Sequence, residues 1–216
     1  YKLLPSAKDY KRIGEGDTGL NTGGMGAVSP PTFLTKEFTE KVEQQVIEPT
    51  IEGFKKDNIN YQGFIFFGLI KVNDEPYVIE YNVRFGDPEC QTLLRNLQTD
   101  ILKIIDYNLK DRLSDLTIRN KKQSVVCVVV ASKGYPGNYK KNKVISNLSK
   151  AQSIKGVEIF HAGTALKKEE VISSGGRVLA VTAQGNSIAH ARKIAYKAVE
   201  AIGWKEGFFR NDIGQK

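Results

Sequence analysis

Residues 63–89, GFIFFGLIKVNDEPYVIEYNVRFGDPE, decide how this chain is read. They form two strand-like runs joined by a turn at Asn73, Asp74 and Glu75. The first run, residues 64–72, is almost wholly apolar and aromatic, the composition of a strand buried on both faces. The second, residues 77–84, alternates. Period-2 geometry assigns Glu80, Asn82 and Arg84 to one face and Ile79, Tyr81 and Val83 to the other. One face is therefore expected to pack, and the other to carry a carboxylate, an amide oxygen and a guanidinium in a row.

That row has a chemical meaning. A carboxylate and an amide oxygen two residues apart are hard donors suited to Mg²⁺ or Mn²⁺, which take few protein ligands and complete their shells with phosphate and water. A guanidinium one step further along can hold a transferring phosphoryl group or an acyl phosphate. Beyond it, Phe85 and Gly86 turn the chain, Asp87 is placed to cap and Pro88 to take the first position of a helix. The N–H groups of that helix would favour an anion at the same place. An exposed hairpin face with polar residues in chance alternation explains any one of the three side chains, but not the three together before a capped helix.

The string Val78-Ile79-Glu80-Tyr81-Asn82-Val83-Arg84-Phe85-Gly86-Asp87-Pro88-Glu89 resembles the E-x-N-x-R-x-G-D-P-E segment of ATP-grasp ligases. Within them it is most similar to the glycinamide ribonucleotide synthetase family, the phosphoribosylamine–glycine ligases. A second segment agrees. Residues 1–30 carry little hydrophobic periodicity and many glycines, as a long functional or disordered loop does. Their centre, residues 17–27 (DTGLNTGGMGA), offers consecutive backbone N–H groups suited to an anion-cradling nest, without the spacing of a P-loop. By itself such a stretch reads as a flexible linker before it reads as a nest. With Asp9-Tyr10-Lys11-Arg12 before it and Ser29-Pro30 after, it resembles the family's D-H-K-R segment and the loop that follows. Tyr10 stands where the family commonly has His, which removes any role read from that imidazole.

The remaining pattern divides the chain. Residues 35–56 read as a helix with Thr35 as N-cap and Pro49 as a kink or break, and residues 88–109 as a second helix with Leu93, Leu97, Ile101, Ile105 and Leu109 at every fourth position. A polar interval at residues 110–123 marks the expected domain boundary. Past it come strands at 125–131, 157–161 and 177–182 and one helix at 187–202, a small α+β pattern. Its landmarks, Lys133-Gly134-Tyr135-Pro136-Gly137, His161-Ala162-Gly163-Thr164, Gly175-Gly176-Arg177-Val178-Leu179 and Phe209-Arg210-Asn211-Asp212-Ile213-Gly214, resemble the family's C-terminal domain in the same order. His190 reads as solvated on its helix, and His161 as a capping or packing residue; neither makes a general base.

Composition bounds the alternatives. The formal net charge of +8 admits a nucleic-acid ligand, yet the lysines occur as scattered pairs without a basic stripe, so phosphorylated small substrates suit it better. The two cysteines lack metal-ligand spacing, and no run is long enough to span a membrane. A cytoplasmic setting is expected. The single methionine is Met25, so Tyr1 is read as the start of a fragment or processed chain.

The resemblance implies an α+β architecture: residues 1–115 as the C-terminal part of an ATP-grasp domain, an antiparallel sheet with helices, and residues 116–216 as a small C-terminal domain. It implies ATP-dependent joining of glycine to 5-phosphoribosylamine through glycyl phosphate, in de novo purine biosynthesis. It assigns Glu80 and Asn82 to Mg²⁺ or Mn²⁺, and Arg84 to the phosphoryl group. Lys11, Thr22, Gly23, Gly24, Gly26, Gly86 and Asp87 are assigned to substrate and phosphate. A missing N-terminal half would supply most contacts to ATP, so the chain alone is expected not to turn over. Two rivals remain open: another ATP-grasp carboxylate–amine ligase or biotin-carboxylase relative, and a non-enzymatic polyanion-binding module.

Overall fold

The computed structural model describes residues 1–215. In chain order its strands are β1 (Lys8–Asp9), β2 (Arg12–Gly14), β3 (Thr18–Asn21), β4 (Gly26–Ser29), β5 (Phe66–Val72), β6 (Glu75–Asn82), β7 (Ser124–Ser132), β8 (Val157–His161), β9 (Thr164–Lys167), β10 (Glu170–Ser173), β11 (Arg177–Gly185) and β12 (Gly207–Phe208). The helices are α1 (Lys36–Val42), α2 (Glu48–Lys56), α3 (Glu89–Asn96), α4 (Ile101–Leu109), α5 (Leu148–Gln152) and α6 (Ile188–Ala201). They fall into two compact units. The first comprises Tyr1–Leu3, Pro31–Gly86 and Thr99–Ile118; the second comprises Leu4–Pro30, Asp87–Gln98 and Arg119–Lys216.

The first unit holds the hairpin β5–β6, a two-stranded sheet of its own, with helices α1, α2 and α4. Thr35 caps α1 as its sequence position predicts, its Oγ1 accepting from Phe38 N at 3.1 Å. Pro49 does not break the helix. It sits in the first turn of α2, and the segment before it, Glu43–Ile47, widens into a π-turn. Proline has no N–H to donate and its ring crowds the carbonyl four residues back, so the wider turn lets helical hydrogen bonding run past it.

The hairpin corrects one expectation. Ile79, Tyr81 and Val83, read as a packed face, are 66%, 54% and 70% exposed, and β5 is half-buried. The alternation itself is interrupted. Gly68 pairs with Glu80 and Leu69 with Val78, so Ile79 is an extra residue on β6, a β-bulge. Apolar alternation marks a strand that needs a cover; it does not say that this chain supplies it.

The second unit is built on β7. Its nine residues are buried from Val125 onward, and both of its edges are paired in a six-stranded antiparallel sheet ordered β1-β4-β7-β11-β8, with β12 also pairing β7. A continuous β-branched run fits such a strand because neither face meets water. Val126, Val128 and Val130 join the main core together with Ala191, Ala195, Ala198 and Val199 of α6. Alanines at this spacing bring α6 close to the sheet: a Cβ on Gly185 would stand 2.5 Å from Ala191 N. Ser187 caps α6, with His190 N donating to its Oγ at 3.2 Å. Val157–His161 forms its strand as the sequence indicates, while β9–β10 and the short α5 had no clear signal.

Two further expectations change. Residues 1–30 are not one long loop: β4 is fully buried against β7, β1 pairs β4, and β2–β3 make a small hairpin. Short strands of small residues have no hydrophobic periodicity to read, and only their partner in the sheet selects them. The helix expected over 88–109 is two. Leu97 turns extended and pairs with Asn120, Gln98 N donates to Arg119 O, and Asp100 caps α4 through Leu102 N. Pairing with a distant segment ends the first helix although the apolar repeat continues. By contacts, residues 4–30 and 87–98 group with residues 119–215.

Arg210 ties the ends of that unit together. It is 2% exposed, and its guanidinium donates to Asp212 Oδ1 and Oδ2 (2.8 and 2.7 Å), Asp17 Oδ1 (3.0 Å) and Arg12 O (2.9 Å). It also lies over the ring of Tyr10, 5.3 Å from the centroid, and Tyr10 Oη accepts from Gly214 N at 3.1 Å. Tyr10 is thus a buried packing residue. Arg210→Met leaves two carboxylates and a carbonyl without their donor. It should destabilise the chain by about 3 kcal/mol, the low end for a broken buried ion pair because Asp17 is exposed. Urea denaturation of both proteins measures it, and an unchanged midpoint would contradict the role given to Arg210.

Candidate functional site

The first unit presents Glu80 and Asn82. Both lie beyond the bulge, two residues apart, opposite Gly68 and Phe66, and so on one face of the hairpin. Glu80 is exposed and Asn82 half-buried. Gly68 explains how the carboxylate lies across the neighbouring strand: a Cβ there would come 2.7 Å from Glu80 Cγ. Arg84 stands just past the end of β6, and its Nη1 donates to Phe85 O at 2.9 Å. Gly86 ends this unit's stretch of chain. Among the described residues no group of three or more Asp, Glu, His or Cys gathers to hold a cation. Two hard oxygen donors on an open face fit a divalent cation that also draws ligands from a nucleotide.

The second unit presents Lys11, the 22–26 turn and Asp87. Here the expected anion nest does not form. Thr22 N donates to Lys11 O (2.8 Å), Gly23 N to Tyr135 Oη (3.0 Å), Gly24 N to Thr22 Oγ1 (2.9 Å) and Met25 N to Tyr10 O (2.8 Å). Each of these four N–H groups is committed within the protein, which the spacing of glycines could not reveal. The glycines serve close packing instead. A Cβ on Gly24, whose φ is +115°, would fall 2.4 Å from Pro88 Cδ and 2.8 Å from Asp9 Oδ1; one on Gly26 would meet Cys127 O at 2.6 Å.

Asp87 is joined to this turn by Arg177, which the sequence places at the start of a strand and in a family landmark, with no site role assigned. Arg177 Nη1 donates to Gly23 O (2.6 Å) and Asp87 O (2.8 Å), lies 3.4 Å from Gly24 O, and pairs with the Asp87 carboxylate at 3.2 Å. The expected cap is also different: Pro88 occupies the N-cap of α3, and no side chain caps that end. His161 Nδ1 shares a hydrogen bond with Thr164 Oγ1 at 3.0 Å, while His190 is exposed.

Two carboxylates beside the turn were missed altogether. Glu89, the first residue of α3, is 4% exposed and its Oε2 has no hydrogen-bond partner; Asp9, on β1, pairs with Lys11 at 2.5 Å through Oδ2 and leaves Oδ1 without one. Burial pushes the Glu89 carboxyl above its ordinary range, and the charge of Asp9 adds to the rise. Burial likewise raises Asp9, although the neighbouring Lys11 opposes it. The only sequence signal for either was its place in a string shared with a known family.

Residues 1–90 match the phosphoribosylglycinamide synthetase ATP-grasp (A) domain and residues 125–216 the phosphoribosylglycinamide synthetase C domain. The chain is 46% identical over 211 residues to the phosphoribosylamine–glycine ligase of Brucella melitensis, covering 98% of this chain and 49% of that protein. It is also 46% identical over 209 residues to that of Vigna unguiculata, covering 95% of this chain and 67% of that protein. The crystal structure of phosphoribosylamine–glycine ligase from Thermotoga maritima superposes with a TM-score of 0.86 at 32% identity, over 97% of this chain and 51% of that one. A biotin carboxylase domain shares the fold at 15% identity and a TM-score of 0.62. The chain spans about half the length of most of the curated relatives it matches. No helix among the described residues is long and apolar enough to cross a membrane.

The buried carboxylates make a pH dependence. A carboxyl held above its unfolded value costs nothing while both states are protonated, and costs stability increasingly as pH rises through the folded value. Glu89→Gln should therefore stabilise the chain at pH 8 by on the order of 1 kcal/mol, the scale of one desolvated, unpartnered group. The advantage should vanish near pH 4, about the ordinary glutamate value. Denaturation curves at both pH values test this, and equal stabilities at pH 8 would refute it.

Proposed function

Because this chain belongs to the phosphoribosylglycinamide synthetase family, we propose that it supplies the C-terminal half of a phosphoribosylamine–glycine ligase. The observation that carries this reading is the Glu80–Asn82 pair, two oxygen donors on one hairpin face with a glycine opposite to make room. In the proposed reaction the carboxylate of glycine takes the terminal phosphoryl group of ATP, giving glycyl phosphate and ADP. The amine of 5-phosphoribosylamine then attacks the acyl carbon and expels phosphate, giving glycinamide ribonucleotide. Both nucleophiles belong to substrates, so the protein's work is to position them and neutralise charge.

Each residue has a stated task. Glu80 and Asn82 would hold Mg²⁺ or Mn²⁺, whose charge offsets that of the phosphates when bound. The Arg84 guanidinium would bind an oxyanion of the transferring phosphoryl group or of the acyl phosphate. Lys11, Thr22, Gly23, Gly24, Gly26, Gly86 and Asp87 would line the substrate pocket. With their N–H groups committed, the residues of the 22–25 turn would do so by shape rather than by donating to phosphate. ATP would be held largely by an N-terminal half. A reducing compartment such as the cytoplasm suits the two free cysteines, Cys90 and Cys127, whose thiols burial raises above the ordinary range.

The test is ADP release by the complete enzyme, with glycine and freshly generated phosphoribosylamine each omitted in turn. Release should need both, and Glu80→Ala should lower it on the order of 10²-fold or more. Gly68→Ala, which displaces the Glu80 side chain, should raise the metal concentration needed for half-maximal rate. The 216-residue chain alone should not turn over. Release indifferent to phosphoribosylamine but responsive to another amine would discard the substrate assignment.

A further inference from the structure

Three strings scattered along the second unit meet at one turn. Lys133-Gly-Tyr-Pro-Gly137 supplies Tyr135, whose hydroxyl accepts from Gly23 N at 3.0 Å. Gly175-Gly176-Arg177 supplies the guanidinium that takes the carbonyls of Gly23 and Asp87 and pairs with the Asp87 carboxylate. These two strings are fastened to each other. Ser132 N donates to Gly176 O at 2.7 Å and Ser132 Oγ to Gly175 O at 2.8 Å, and a Cβ on Gly176 would stand 2.3 Å from the Tyr135 ring. His161-Ala-Gly-Thr164 backs them: Gly163 N donates to Arg177 O at 3.0 Å, and Gly163 is so close to Gly175 that a Cβ on it would come 2.6 Å from Gly175 Cα. Three glycines are thus required by close approach, and each approach serves to bring Arg177 and Tyr135 to the turn. Gly23 has the same reason: a Cβ on it would stand 2.9 Å from Arg177 Cζ.

We propose that Arg177, assisted by Tyr135, is the positioning residue of the acceptor and amine substrates, holding the Gly23–Gly24 turn and Asp87 in one fixed geometry. The guanidinium is suited to the task because its Nη1 meets oxygens from two stretches of chain at once while the rigid plane fixes the direction of its N–H groups, a constraint that an ammonium on a flexible stem lacks. Its partners are mainly backbone carbonyls, so it sets the path of the main chain and not only a side-chain rotamer. The half-exposed position of Asp87 leaves its second oxygen to a ligand, while Arg177 itself is turned inward, its side chain 23% exposed. This rests on the substrate pocket proposed above. It adds that the pocket's shape is imposed from the C-terminal residues, and that losing the clamp affects glycine and the amine substrate while sparing ATP.

The test has two arms. In the chain alone, hydrogen exchange of the Gly23, Gly24 and Met25 amides should rise at least tenfold in Arg177→Ala, while exchange in β7 stays at the wild-type rate. Tyr135→Phe, which keeps the ring against Gly176 and removes only the acceptor, should raise exchange at Gly23 selectively. In the complete enzyme, Arg177→Ala should lower kcat/KM for glycine and phosphoribosylamine about 100-fold, the scale of a misplacement near 1 Å, with KM for ATP unchanged. Arg177→Lys should recover about a tenth of the wild-type value. Should Arg177→Ala fail to fold, Arg177→Lys and Tyr135→Phe carry both arms, with the same local exchange and the same split between substrates. Unchanged turn exchange and unchanged kcat/KM in those variants, beside an active wild type, overturn the inference and leave the ligase reading standing. A wild-type complete enzyme with no glycine-dependent ADP release, beside a turn that loosens in Arg177→Lys, overturns the ligase reading and supports the clamp.

Discussion

Everything in the larger unit follows from burying β7 on both faces and pairing it on both edges. A strand in that position can donate and accept only through its neighbours, so β4 and β11 must run beside it and helices must cover it. β4 is four small residues long, and it is the continuation of the 22–25 turn. The glycine-rich stretch is therefore tied to the sheet at its end, and its freedom is spent before any ligand arrives. That is why the turn's N–H groups face inward to Lys11, Tyr135, Thr22 and Tyr10.

Charge is organised by the same enclosure. Arg210 and Arg177 both sit where the chain's distant parts meet, and both bind oxygens from segments far apart in sequence: Arg12, Asp17 and Asp212 for one, Gly23 and Asp87 for the other. Arg210 meets its partners through Nε, Nη1 and Nη2, and Arg177 through Nη1 alone. Asp9 and Glu89 are the counterpoint. Their carboxylates are buried with oxygens left over, a standing cost that structural ion pairing does not remove.

The smaller unit is governed by what it lacks in cover. Its hairpin presents apolar residues on an open sheet, and the bulge at Ile79 re-aims the strand just before Glu80. Bulges beside a functional face are a common way of directing a side chain without lengthening the strand. Gly68 completes the arrangement by leaving space for the carboxylate. Two donors are thereby held out from the hairpin on a backbone that is hydrogen-bonded through Asn82.

Local pattern was sufficient wherever a residue's role depends on its immediate neighbours. The β-branched run of β7, the strand at Val157–His161, the Thr35 cap and the two-residue spacing of Glu80 and Asn82 were all legible, because strand period and capping chemistry act within a few residues. The family strings contain Gly23, Asp87 and Arg177 without saying that anything joins them. Tertiary structure alone decided the rest. It ended α3 by pairing Leu97 with Asn120, made β4 from small residues that show no periodicity, and turned the glycine N–H groups inward. It also brought Arg177 to a turn 154 residues away. Apart from Gly24 N, which bonds Thr22 two residues away, the deciding partner is distant along the chain, and a backbone hydrogen bond is selected by the group that reaches it in space.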